Sequence, residues 1–150
     1  MKKLIIAGFV LTFSTVINAQ TAEDSVKMTI NHFFEGMKKS DTALIRASLT
    51  EGVIFQTITR KKDGNLMVKT ENVNEFLTFI ANPQKDVADE RITFESIKID
   101  GALASVWTPY KFYSGEKFSH CGANSFQLVK VDGAWKIQYI IDTRRRQGCE

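Results

Sequence analysis

Three glycine-bearing turns constrain the second half of this chain. Asp100-Gly101, Ser114-Gly115-Glu116 and Asp132-Gly133 cut the last third into short apolar segments. Aspartate-glycine pairs accept the positive backbone angles of tight hairpin turns. The segments between them are rich in β-branched and aromatic residues, so they read as strands. Four are expected: Arg91 to Asp100, Ala102 to Tyr113, Lys117 to Val131 and Ala134 to Thr143. The apolar phase slips between Ile92/Phe94 and Ile97/Ile99, which predicts a bulge near Ser96.

The first half has a different period. Val26, Ile30, Phe33, Phe34 and Met37 recur at three- and four-residue spacing, so Thr21 to Lys39 reads as a helix. Thr21 with Asp24 forms a capping box in which Asp replaces Glu. Ser40-Asp41 ends that helix and caps a short one at Thr42 to Leu49. Val53 to Arg60, the turn Lys62-Asp63-Gly64-Asn65 and Leu66 to Lys69 make a hairpin. Thr70 is the expected cap of a third helix, with Val73, Phe76, Leu77 and Ile80 inward and Asn82-Pro83 as its stop. Helices gathered on one side of an antiparallel sheet make an α+β domain, and a curved sheet closed by helices encloses a concave space.

The N-terminal stretch lies outside this fold. Lys2 and Lys3, the apolar run Leu4 to Ile17 and the small residue Ala19 form the pattern of a secretory signal peptide. The expected division is residues 1–19 as leader and 20–150 as a single domain, periplasmic or secreted. The run is short for a membrane span, and no Cys follows the cleavage site to carry a lipid. Without Lys2 and Lys3, the 20 Lys and Arg fall to 18, against 17 acids. That near-neutral balance, with Arg144-Arg145-Arg146 as a solvated strand end, gives no basis for nucleic-acid binding.

Hairpin geometry assigns faces. A two-residue turn at Asp132-Gly133 sets Leu128 opposite Ile137 and Phe126 opposite Tyr139. A three-residue loop at Ser114-Gly115-Glu116 sets Phe112 opposite Phe118 and Tyr110 opposite His120. The concave face then carries Val106, Tyr110, Phe112, Phe118, His120, Asn124, Phe126, Leu128, Ile137, Tyr139 and Ile141. Asp142 falls on the opposite face, beside Arg144. The expected ligand contacts are Tyr110, His120, Asn124, Tyr139, Phe112 and Phe118, since apolar walls with sparse polar groups suit an organic ligand. The same residues also suit a filled core, and residue type alone does not decide.

His120 is the candidate acid or base, with Tyr110 as its nearest expected partner. No catalytic role follows from spacing alone. No phosphate-binding glycine loop or metal-type His/Cys spacing is present, so no cofactor and no metal is expected. His32 belongs to the flank of the first helix. Cys121 and Cys149 are the whole thiol complement. Parity and export favour a bridge between them over two free thiols, closing a loop worth about 3 kcal/mol. His120 and Cys121, though adjacent, then point to opposite faces of one strand.

The stretch "FFEGMKKSDTALIRASLTEGVIF" resembles the opening of nuclear transport factor 2-like domains. The block "IDGALASVWTPYKFYSGEKFSHCGANSFQLVKVDGAWKIQYIIDTRR" resembles their exported bacterial lumazine-binding or polyketide-cyclase-like (SnoaL-like) branch. The resemblance implies a cone-shaped, cystatin-like α+β barrel with an internal pocket, often a homodimer through the sheet. It implies either small-molecule binding, isomerase, dehydratase or cyclase chemistry, or a non-catalytic interaction module. Isomerase-like members take a base from the strand after the second helix, and here Val53 to Arg60 contains no Asp or Glu.

Overall fold

A computed structural model describes residues 21–82 and 86–149. The expected leader and Pro83 lie outside the described residues. Helix α1 (Ala22–Lys39) is capped by Thr21, whose hydroxyl accepts from Asp24 N while the Asp24 carboxylate reaches back to Thr21. It ends where Ser40 turns left-handed, and Asp41 then caps α2 (Thr42–Ala47) by accepting from Leu44 N at 2.9 Å. Strand β1 (Leu49–Arg60) starts four residues earlier than expected and pairs with β2 (Leu66–Glu71). Because β2 runs through Thr70 to Glu71, the cap of α3 (Val73–Ala81) is Asn72 rather than Thr70.

The expected first strand of the C-terminal block is two strands, β3 (Ala88–Ile92) and β4 (Ser96–Asp100), lying in succession along β5 (Leu103–Ser114). The irregularity sits at Thr93 to Glu95, close to the expected bulge. β6 (Lys117–Val131) and β7 (Ala134–Thr143) complete a seven-stranded sheet of order β2-β1-β7-β6-β5-β3, with β4 also on β5. The sheet is curved and unclosed, and its helices all come from the N-terminal half. One pairing departs from the antiparallel expectation. β1 runs parallel to β7, a pairing that the long connection between them permits.

Two bulges decide which side chains face the helices. On β6, Phe112 pairs with His120 but Tyr113 pairs with Phe118, leaving Ser119 as the extra residue. On β7, Leu128 pairs with Ile137 but Gln127 pairs with Tyr139, leaving Gln138 as the extra residue. Gln138 is pinned to β1 on both sides of its amide: it accepts from Thr50 Oγ1 at 3.0 Å and donates to Gly52 O at 3.1 Å. A bulge of one residue inverts every face beyond it. Beyond Gln138, therefore, Ile140 and Asp142 turn to the concave side, with Ile141 and Tyr139 on the other.

At one end of the concave face α1 and α2 seal an apolar core, with Phe126 at its border with the cavity. Val26, Ile30, Ile45, Ala104, Phe126, Leu128 and Ile137 are each 0% exposed there. The disulfide Cys121–Cys149 is formed, with Cα atoms 5.7 Å apart. Cys121 is buried behind the sheet, bridged to Arg145 by a pair of backbone hydrogen bonds.

Candidate functional site

The other end of the concave face is open. A cavity of about 470 Å³ lies between the sheet and the helices α1 and α3. Its apolar wall includes Phe33, Phe34 and Met37 from α1, Phe76 and Ile80 from α3, and Phe55, Phe112 and Phe126 from the sheet. Phe33, Phe55 and Phe76 contact one another through their rings, with centroids 5.4 to 6.0 Å apart.

The polar wall is built by β3, β5, β6 and β7. Asn124, 4% exposed, donates from Nδ2 to Glu90 Oε1 at 2.8 Å. The Tyr110 hydroxyl lies 3.0 Å from Asp142 Oδ2 and 2.9 Å from Thr143 O. Arg144 Nε donates to the same Asp142 oxygen at 2.9 Å. Tyr110 reaches across Gly122, its pairing partner on β6. A Cβ on Gly122 would sit 1.8 Å from Thr143 O and 2.7 Å from Tyr110 Cε1. The glycine is what lets the phenol ring and the end of β7 close over β6.

Burial sets the charge states. Desolvation pushes the Glu90 carboxyl up to about 7; the negative charge of Asp142 adds to this, and the Asn124 hydrogen bond opposes it. Burial, then Asp142 and Glu90, hold the Tyr110 phenol far above its ordinary range, so it stays a neutral donor. Burial, followed by the positive charge of Arg144, lowers His120 below its ordinary value, so near neutral pH the imidazole is uncharged.

Of the six expected ligand contacts, four line the cavity: Tyr110, Phe112, His120 and Asn124. Phe118 does not. The Ser119 bulge places it opposite Tyr113 on the outer face, 40% exposed and edge-on to that ring. Tyr139 does not either. The Gln138 bulge puts it beside Gln127 on the outer face, where its hydroxyl lies 2.6 Å from Gln56 Oε1. Asp142 is the opposite correction: expected outside, it is 11% exposed at the cavity wall. Its expected pairing with Arg144 is present.

His120 stacks on Phe112 with centroids 4.9 Å apart and meets Tyr110 edge-on at 5.7 Å. Its Nδ1 lies 3.1 Å from Ser119 Oγ. The Tyr110 hydroxyl is bonded to Asp142 and Thr143, so the expected His120–Tyr110 acid–base pair is a ring contact instead. Sequence reasoning missed Glu90 because it started the strand at Arg91. The alternation Ala88, Glu90, Ile92 carried the signal: a carboxylate at an inward position. Among the described residues, no group of three or more His, Cys, Asp or Glu is arranged to hold a metal ion.

No family model matches the chain, and no curated protein matches it. Solved structures do. A protein of unknown function from Shewanella baltica, described as NTF2-like, superposes with TM-score 0.66 at 19% identity, covering 83% of this chain and 94% of that one. A conserved protein from Planctomyces limnophilus gives 0.67 at 20% identity over 82% and 95%. A Nostoc punctiforme protein of unknown function with a cystatin-like fold gives 0.60 at 15% identity over 85% and 95%. At these identities the likeness establishes the fold, which is nuclear transport factor 2-like, or cystatin-like.

Proposed function

We propose that this chain is an exported small-molecule-binding domain, of the lumazine-binding or polyketide-cyclase-like branch of its fold. The observation that carries the reading is the cavity. Its size suits a small organic molecule, its wall is aromatic, and a few fixed polar groups converge at one end. Export is supported by the leader pattern and the disulfide; among the described residues no helix is long and apolar enough to cross a membrane. The cavity leaves the alternative of an interaction module with a filled cone without support. Self-association through the outer face of the sheet remains part of the proposal, since Leu103, Trp107 and Phe118 are exposed there. Sedimentation analysis tests it, and a monomer at high concentration rejects it.

Native mass spectrometry of the protein purified from the periplasm tests binding directly. An adduct of small-molecule mass that disappears on denaturation is the expected result. A His120→Ala variant that retains the adduct unchanged takes His120 off the contact surface.

One observation favours a second reading, acid–base catalysis. The carboxylate absent from Val53 to Arg60 of β1 has a counterpart in Glu90, which takes up and releases a proton near neutral pH inside the cavity. His120, held neutral, is the alternative base. Deuterium exchange of the α-protons of a panel of aryl ketones separates the readings. Exchange lost on Glu90→Gln supports catalysis, and exchange at the solvent rate leaves binding alone.

A further inference from the structure

The cavity is unevenly charged. Four carboxylates line it (Glu71, Glu75, Glu90 and Asp142), against Arg144 as the one Lys or Arg among the described lining residues. Arg144 is bound to Asp142, and Glu71 has Lys69 at 3.1 Å. Among the described residues Glu75 has no cation partner either, but it is exposed to solvent. Glu90 is more buried: among the described residues no cation lies within 4.0 Å of it, and its one hydrogen-bond partner is the neutral amide of Asn124. That bond fixes the carboxyl through Oε1. Among the described residues Oε2 has no hydrogen-bond partner, and Glu90 lines the cavity. A fixed carboxylate without a cation in contact, in a wall that also carries the rings of Phe76 and Phe112, is a poor host for an anion. It suits a cation, which gains from both the carboxylate and the ring quadrupoles.

We propose that the cavity selects a protonated amine carried on an apolar, ring-sized body, with Glu90 as its counter-ion. This deepens the small-molecule reading and rests on it. Asn124 orients the carboxylate, Asp142 pairs with Arg144 and offsets part of its repulsion, and uncharged His120 adds no competing cation.

Three probes of one shape test it by calorimetry on the mature chain: phenylethylamine, phenylethanol and phenylacetate. The amine is expected to bind about tenfold tighter than the alcohol, and phenylacetate weakest. Glu90→Gln keeps an acceptor for Asn124, so the fold stands; in it the amine's advantage should fall to about twofold or less, with the alcohol unchanged. Ala88→Leu, which adds bulk to the cavity wall, should weaken both. The wild-type preference should grow between about pH 6 and pH 8 as Glu90 ionises, while the amine stays charged. The other groups facing this space are Glu71, Glu75, Tyr110, His120, Asp142 and Arg144, so the same titration in Glu90→Gln isolates the Glu90 share.

Equal binding of amine and alcohol, both weakened by Ala88→Leu, overturns the amine proposal and leaves the small-molecule reading intact. An amine preference that survives Glu90→Gln overturns Glu90 as counter-ion. No binding by any probe removes both the proposal and the reading under it.

Discussion

The two ends of the concave face are made by the same three strands and packed by the same helix, yet they differ in kind. At the closed end, aliphatic side chains from β5, β6 and β7 meet the first half of α1 with nothing left exposed. At the open end, those strands present Tyr110, Phe112, His120, Asn124 and Asp142, and the second half of α1 faces them across a cavity. The closed end stabilises the fold by burying methyl groups. The open end buries polar groups instead, each needing a partner, and among its less exposed carboxyls it leaves Glu90 without a charged one. Stability is concentrated at one end so that the other can stay open.

The strongest way to break this contrast is Gly122→Ala. A Cβ 1.8 Å from Thr143 O forces the end of β7 off the sheet. The expected loss exceeds about 4 kcal/mol in urea unfolding, or folding fails. A loss under about 1 kcal/mol would mean the close approach of β7 is not needed.

Next comes the direct comparison of the ends. Leu128→Ala in the sealed core should cost about 3 to 4 kcal/mol. Phe76→Ala, beside space that already exists and partly exposed, should cost about 1 to 2 kcal/mol, less than an enclosed phenylalanine. Equal losses would show that the open end is as tightly packed as the closed one.

Glu90→Gln works in the opposite direction. The folded-state value of Glu90 is raised, so its stabilising share is complete below the ordinary glutamate range and is lost as pH rises through about 7. The variant should therefore be more stable than the wild type at about pH 8, by an amount on the order of 2 kcal/mol, and equal to it near about pH 4. Thermal melts at the two pH values check this, and a pH-independent difference rejects it. The smallest effect expected is Tyr110→Phe, about 1 kcal/mol, because the one hydroxyl proton shared between Asp142 Oδ2 and Thr143 O is lost while the ring stays over Gly122.

Much of this architecture was legible in the chain itself. The turn residues announced the hairpins: Asp132 and Gly133 both take positive φ, 50° and 81°, as the aspartate-glycine pair suggests. The Thr21–Asp24 box and the apolar stripe of α1 were equally direct. Face assignment succeeded or failed by parity. Between β5 and β6 the register differs from expectation by two: Tyr110 pairs with Gly122 instead of His120. One residue comes from a shorter turn and one from the Ser119 bulge, and an even shift returns the same faces. Tyr110, His120 and Asn124 therefore survive as cavity residues, while Phe118, between turn and bulge, does not.

Between β6 and β7 the shift is one, and every residue beyond Gln138 inverts. Nothing in the residue types gave warning. Tyr139, Ile140 and Ile141 form an apolar run that satisfies either phase, and the tether to Thr50 and Gly52 that holds the bulge comes from a strand some 85 residues away. Local alternation could not see a contact of that range.

The Gln138 bulge makes the chemistry of the cavity separable from its architecture. Removing a single residue there would return Tyr139 and Ile141 to the interior and expel Ile140, Asp142 and Arg144, exchanging an ion pair for a phenol and an aliphatic chain while the helices stay in place. For a fold that hosts many ligands, a one-residue insertion or deletion at such a point changes specificity in one step, where substitution would need several.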